Sequence, residues 1–217
     1  MKKILILGLI ILSLLFQACT SKVNKDIEPT YEDAEKAYNK SDYKTAFNIW
    51  QDLAIKGNTS AQLDIGVMYA NGFGVKQDYI KAREWYEKAA SNGNMVAQFN
   101  LGIIYVTGQG VPQDYKKAKE WYEKAAQQGY AKAEYSLGVI YNEGQGVPQD
   151  FNKAKEWYEK AAANGHLKAF FNLAIFYYNG NGVTENKAKS KELFKKSCDG
   201  GFQQACNNYN LLIKQGY

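Results

Sequence analysis

The sequence predicts an all-α fold, an α/α superhelical solenoid of stacked helix-turn-helix repeats. Three observations predict it. The stretch 97–132, AQFNLGIIYVTGQGVPQDYKKAKEWYEKAAQQGYAK, returns with few changes at 61–96 and 133–168, and more loosely at 169–204. The starts Ala61, Ala97, Ala133, Ala169 and Ala205 are each 36 residues apart, a period of stacked arrays rather than of a domain built round one cleft. Within each copy the apolar residues keep helical spacing on two segments, with a glycine-rich break between them.

The copy at 97–132 shows why each segment takes its form. Ala97, Leu101, Ile104 and Tyr105 fall at i, i+4, i+7 and i+8, one face of a first helix. Gly108-Gln-Gly110 ends that helix, because glycine takes left-handed backbone angles freely. Pro112 keeps its neighbour extended, and Asp114 is a good N-cap for a second helix over about 115–127. The stripe Ala118, Trp121, Tyr122, Ala125 and Ala126 is its expected buried face. Lys117, Lys119, Glu120, Glu123 and Lys124 form its wet face, with Glu120 and Lys124 in the favourable i, i+4 order. Gly129 closes the unit. A lone helical pair cannot cover its apolar side, so it must lean on neighbours. Trp85, Trp121 and Trp157 recur at one position and are expected in the core. Gly66, Gly102 and Gly138 lie inside first helices, where glycine costs about 1 kcal/mol relative to alanine. Close helix approach is the expected compensation, and Ala174 at the fourth copy fits it.

The pattern A-x-x-x-LG-x-x-Y-x-x-G-x-GV-x-x-D-x-x-x-A-x-x-WY-x-x-AA-x-x-G resembles the Sel-one-like repeat (SLR), a relative of the tetratricopeptide repeat (TPR), over about 61–204. The resemblance implies a solenoid that assembles protein complexes. The period reaches the solenoid without it; the adaptor role comes only from the family.

Residues 1–18 read as a signal peptide: Lys2 and Lys3, then an apolar run from Ile4 to Phe16 that is shorter than the ~20 residues of a membrane span. Ala18-Cys19 after that run resembles the lipobox of bacterial lipoproteins. This implies diacylglycerol on the Cys19 thiol and a periplasmic or other extracytoplasmic protein anchored to a bacterial membrane; an ordinary cleaved signal and a secreted product is the alternative. Residues 19–28 are a polar tether. Residues 29–60 form a divergent, TPR-like first unit: Asp42, Tyr43 and Ala46 match Asp78, Tyr79 and Ala82, Trp50 matches Tyr86, and the inter-helix turn is four residues shorter. Four SLR repeats follow at 61–96, 97–132, 133–168 and 169–204. In the last, Leu193-Phe194 replaces Trp-Tyr, Ser190 replaces an alanine, Asn186 replaces the aspartate cap and Ser197-Cys198 replaces Ala-Ala. Residues 205–217 supply a capping helix with Tyr209, Leu212 and Ile213 as its inner stripe.

There are three cysteines. With Cys19 acylated, Cys198 and Cys206 remain, eight residues apart across a helix–turn–helix junction; they pair in an oxidising compartment, or else are two buried thiols. Their C-x7-C spacing resembles the Hcp-type cysteine-rich repeat proteins, secreted relatives of the SLR family. That resemblance implies a bridge at this place, and a β-lactamase activity as the alternative function.

The formal net charge is +5, with both signs interleaved on outer helix faces, which is a solvated surface and not a nucleic-acid footprint. His166 is the single histidine, expected exposed in a loop where sister copies carry Asn94 and Tyr130; no histidine-built metal site or Ser–His pair follows. Ser41-Asp-Tyr-Lys44 matches Ser-x-x-Lys, but Asp42 reads better as a helix cap, and Lys-Thr-Gly and Ser-Asp-Asn partners do not occur. The Gly-x-Gly runs follow helices rather than strands, so they are turns and not phosphate cradles. No cofactor is expected. What remains is a groove. Aligned on the TPR pattern, Asp64, Phe99, Asn100, Tyr135, Asn142, Phe171, Asn172 and Tyr178 turn to the concave side, an aromatic row beside a polar row that suits a peptide or helix of an envelope protein. Alternatively positions 63 and 67 and their copies only pack against adjacent helices. A monomeric, non-catalytic scaffold is the expectation.

Overall fold

The computed structural model describes residues 28–217; the expected signal peptide and Cys19 lie outside the described residues. Eleven helices and no strand occur among the described residues. The first helices of successive units are α1 (Tyr31–Asn39), α3 (Thr59–Asn71), α5 (Met95–Thr107), α7 (Ala131–Glu143), α9 (Leu167–Asn179) and α11 (Gln203–Lys214). The second helices are α2 (Tyr43–Ile55), α4 (Tyr79–Ser91), α6 (Tyr115–Ala126), α8 (Phe151–Ala163) and α10 (Lys187–Asp199). Each helix packs chiefly on the one before and after it, as a solenoid requires.

Local chemistry sets the helix ends. The carboxylates of Asp78, Asp114 and Asp150 accept from backbone N–H groups of the first turn at 3.0–3.1 Å, and Asn186 does the same from Lys189 at 2.8 Å. Asp42 caps α2 through the Thr45 N–H at 3.2 Å. α3, α5, α7 and α9 each end on a left-handed glycine, Gly72, Gly108, Gly144 and Gly180, with φ of 69–75°. The second glycine of each loop has a further duty. A methyl group on Gly110 or Gly146 would meet the Cβ of Tyr79 or Tyr115 in the previous unit at 3.0 or 2.7 Å. The loop thus lies against the start of the preceding second helix, and this contact helps register one unit on the next.

The glycines inside the first helices are explained by tyrosine. A Cβ at Gly66, Gly102 or Gly138 would lie 2.6, 2.3 or 2.4 Å from a ring carbon of Tyr86, Tyr122 or Tyr158, the partner helix's central side chain. In the fourth repeat Ala174 takes the glycine position and Phe194 the tyrosine position, both buried. The expected close approach is therefore present. The expected role of tryptophan is not: Tyr86, Tyr122 and Tyr158 fill the repeat cores, while Trp85, Trp121 and Trp157 are half-buried and pack against the core of the preceding unit. A lysine one turn on covers each indole, with Lys88, Lys124 and Lys160 Nζ at 3.7, 3.9 and 4.1 Å from the ring centroid. Lys124 is thus placed over Trp121, and the ion pair on that helix is Lys119–Glu123 at 2.7 Å instead of Glu120–Lys124. In α11 only Leu212 of the expected stripe is buried; Tyr209 is half-buried and Ile213 is 48% exposed.

One structural device escaped sequence reading. Gln62 and Gln98 are buried, and their amides donate back to the carbonyls of Ala54 and Ala90 at 3.2 and 3.3 Å. Their carbonyl oxygens accept from Asn92 and Gln128, just past the ends of the following second helices, at 3.2 and 2.9 Å. Glu134 continues the row, accepting from Asn164 at 2.8 and 3.1 Å. The row stitches three units together through polar groups that would otherwise be buried unpaired. One repeat short of the end of the period, Phe170 breaks it, and at the last copy of the position stands Cys206, bonded to Cys198. The disulfide thus joins α10 to α11 where hydrogen bonds join earlier units. Closing so short a loop contributes about 2.5 kcal/mol by restricting the unfolded chain.

The glycine–tyrosine contact makes a signed prediction. Helix propensity alone favours Gly102→Ala by about 1 kcal/mol. Overpacking against Tyr122 opposes it by about 1–3 kcal/mol. Urea unfolding of Gly102→Ala should show net destabilisation, and pairing it with Tyr122→Leu should cost less than the two single changes added. A more stable single variant would contradict the contact.

Candidate functional site

The candidate residues lie on the first helices, one set per unit. At positions 64, 100, 136, 172 and 208 stand Asp64, Asn100, Ser136, Asn172 and Asn208, all half-buried. Beside them run Leu63, Phe99, Tyr135 and Phe171, also half-buried. Val67, Ile103, Val139, Ile175 and Leu211 make a third, wholly apolar row. The period of 36 residues puts like positions on like faces, so the rows follow from the repeat itself.

The aromatic row packs as well as faces outward. Phe99 lies 5.5 Å from Tyr122 and 5.2 Å from Tyr130, and Phe171 lies 5.4 Å from Phe194 and 5.2 Å from Phe202. Tyr135 sits 5.7 Å from Tyr158 and stacks on His166 at 4.4 Å. His166 is therefore not the exposed loop residue that its sequence position suggests. It is half-buried at the N-terminus of α9, its Nδ1 has no partner among the described residues, and burial with Lys168 and Lys132 nearby holds its pKa below the usual value. Tyr130, His166 and Phe202 occupy one repeat position, and only a periodic reading that includes the pre-helix residue would have found this ring set.

The polar row has a structural task. Asn100 and Ser136 lie beside the hydroxyls of Tyr86 and Tyr122, which partly opposes the effect of burial on each phenol; burial raises Tyr86 and pushes Tyr122 up to about 12. Asn172 lies between Tyr135, whose hydroxyl accepts from it at 3.5 Å, and Tyr158, whose buried hydroxyl makes no hydrogen bond of good geometry. Asp64 differs. The unit before it has Trp50 where the others have tyrosine, and Asp64 accepts instead from the Tyr31 hydroxyl. Burial pushes its carboxyl up to about 6, aided by the nearby Glu35. Asn142 gives its backbone carbonyl to Gln149 at 2.7 Å. Tyr178 has the Lys187 ammonium 5.4 Å from its ring centroid.

These residues are not gathered into one pocket. Two cavities of about 230 Å³ lie near opposite ends of the rows. One is lined by Tyr31, Glu35, Tyr38, Trp50, Asp64 and Val67. The other is lined by Ile175, Tyr178, Phe194, Asn208, Leu211 and Leu212. Phe99, Asn100, Tyr135, Asn142, Phe171 and Asn172 line neither. Among the described residues no cluster of three or more His, Cys, Asp or Glu could hold a metal ion. Ser41 sits in the tight turn between α1 and α2 with φ of 62°, and both it and Lys44 are exposed, away from these cavities.

The Sel1 repeat family model matches residues 59–94, 96–130, 131–166 and 168–202. The chain belongs to the Sel1 repeat family. Its fold superposes on a Sel1 repeat protein from Oxalobacter formigenes with a TM-score of 0.79 at 33% identity, covering 83% of this chain and 74% of that one. It also resembles c5321, a protective antigen of uropathogenic Escherichia coli with an SLR fold, with a TM-score of 0.77 at 37% identity, over 80% of this chain but 37% of that one. The Helicobacter pylori cysteine-rich protein B is similar at 28% identity, with a TM-score of 0.50, over 61% of this chain and 96% of that one. No curated protein sequence matches the chain. Sel1 repeat proteins generally act as protein-interaction scaffolds, so the half-buried rows of this Sel1 array are where a partner is sought.

Asp64 gives this face a pH signature. Its folded carboxyl titrates near 6 against an ordinary 3.8, so the folded state holds the proton more tightly than the unfolded chain. The resulting stability is full below about pH 4, falls as pH rises, and is gone above about pH 6. Asp64→Asn keeps an acceptor for Tyr31 and removes the titration. Relative to wild type, its urea midpoint should therefore climb between pH 4 and pH 7; a difference constant across that range would refute the assignment.

Proposed function

We propose that this Sel1 repeat protein is a non-catalytic interaction scaffold of the bacterial cell envelope, holding a protein partner along the rows of its first helices. The observation that carries the reading is the continuous apolar row Val67, Ile103, Val139, Ile175 and Leu211. Val67, Ile103, Val139 and Ile175 stay only partly covered after the repeats have stacked, Leu211 is 51% exposed, and polar side chains and rings of the neighbouring rows lie beside them. Apolar area of this kind supplies affinity, while amides and hydroxyls fix register. The partner is a peptide segment or helix of another envelope protein, and the chain acts as a monomer. Phe99, Asn100, Tyr135, Asn142, Phe171, Asn172, Tyr178 and Asp64 are its proposed contacts.

The location rests on two features. The Cys198–Cys206 bond belongs to an oxidising compartment. The run 4–16 followed by Ala18-Cys19 supplies an export signal and a lipidation site. No helix of the described residues is long and apolar enough to cross a membrane, so the attachment proposed is the lipid on Cys19.

Photo-crosslinking in the native host tests both halves. A crosslinking residue at Val139 or Tyr178 should trap one and the same partner, and one at exposed Lys88 or Lys124 on the second helices should not. Cys19→Ala should release the protein from the membrane fraction and reduce the yield of that adduct. Adducts from the second helices alone would move the interface elsewhere.

A further inference from the structure

The cavity nearest the N-terminus has a lining unlike that of its counterpart at the other end. Three aromatic rings form one side: Tyr31 and Tyr38 lie with their centroids 5.8 and 5.4 Å from that of Trp50. Two carboxylates, Asp64 and Glu35, line it with Asn39 and Val67, around about 230 Å³ of space. No lysine or arginine of the described residues makes an ion pair with either carboxylate. Trp50 is only 4% exposed, yet its indole N–H has no acceptor among the described residues. A wall of aromatic faces with acidic groups beside it attracts organic cations through the ring quadrupole and direct charge.

From this geometry we infer that the pocket formed by Tyr31, Tyr38, Trp50, Asp64 and Glu35 receives an arginine side chain of the protein partner. Arginine fits better than lysine. Its guanidinium is planar, sheds water more readily, stacks on aromatic faces and can bridge carboxylate oxygens. The cause of the pocket is a substitution in the repeat. Regular units place a tyrosine hydroxyl against the polar row, whereas Trp50 has none; Asp64 accepts from Tyr31 at one carboxylate oxygen, and the other is left for a ligand. That the arginine belongs to a protein partner rests on the interaction reading above; the pocket's choice of an organic cation does not.

The test follows the indole N–H resonances of the full folded protein by NMR. The chain has four tryptophans, and the Trp50 signal is assigned by Trp50→Phe. Ac-Gly-Arg-Gly-NH2 should shift that signal saturably, the lysine peptide more weakly, and the neutral glutamine peptide not at all. Asp64→Asn should weaken arginine-peptide binding about tenfold, a loss of roughly 1.4 kcal/mol. Glu35→Gln, an exposed change that leaves the fold alone, should weaken it less and serves if Asp64→Asn does not fold. An equal response to tetramethylammonium overturns the arginine assignment in favour of any organic cation. Absence of a Trp50 shift, or an equal shift from the glutamine peptide, overturns the pocket itself. Neither result bears on crosslinking at Val139 or Tyr178, so the pocket and the scaffold reading fail separately.

Discussion

The array depends on one contact: the edge of a tyrosine ring laid on a glycine in the helix opposite. At Gly66, Gly102 and Gly138 there is no room for even one methyl group. The absence of a Cβ lets the two helices of a repeat approach until Tyr86, Tyr122 and Tyr158 fill the space between them. Close packing of this kind leaves little freedom in the angle between the helices. The three regular repeats share this contact, which favours the same helix packing in each. The fourth repeat shows how it can be relaxed. Ala174 and Phe194 replace glycine and tyrosine together, so the pair changes as a unit rather than at one member.

Much of the fold was legible in the sequence because the period reports it directly. The 36-residue spacing, the aspartate caps and the paired glycines each have a single physical reading, and the structure has those helices, caps and left-handed turns. The Cys198–Cys206 pairing was legible for a similar reason: two cysteines one short turn apart have few other partners. The tryptophans were misread because Trp121 and Tyr122 are neighbours on the same apolar stripe, and helical spacing cannot say which of two adjacent rings points inward. The larger ring goes to the seam between units, where Lys124 can cover it, and the slimmer one goes beneath the glycine. Sequence also hid the polar stitching, since a glutamine at 62 or 98 near a helix start looks like a wet residue until its acceptor, a carbonyl eight positions earlier, is known.

The candidate site was legible as a set of positions and not as a set of contacts. Phe99, Tyr135 and Phe171 do lie in a row, but each also touches rings at 130, 166 and 202. His166 illustrates the difficulty. Its sisters are Asn94 and Tyr130, one a helix-capping amide and the other an aromatic packing group, and a histidine can serve as either. The structure gives it the second role, stacked on Tyr135. The polar row likewise joins structure and surface, for Asn100 and Ser136 are turned toward buried phenols.

That division of labour bears on where the proposed partner would bind. In the middle of the array the polar row lies beside tyrosine hydroxyls, which take up the space before it. At each end the tyrosine is missing. Trp50 stands before Asp64, and Phe194 stands before Asn208; neither ring carries a hydroxyl, and in both places the structure has a cavity of about 230 Å³. The two differ in character. The first has carboxylates and three rings, whereas the second has Ile175, Leu211 and Leu212 with the Tyr178 ring at its edge. A partner lying along the rows would therefore meet an acidic aromatic pocket at one end and an apolar one at the other, joined by the row from Val67 to Leu211. Two unlike anchors fix the direction of a bound chain, which a row of identical sites could not do. Divergence at the terminal units, where stacking on a further neighbour is lost, is thus also what gives a repetitive surface its polarity.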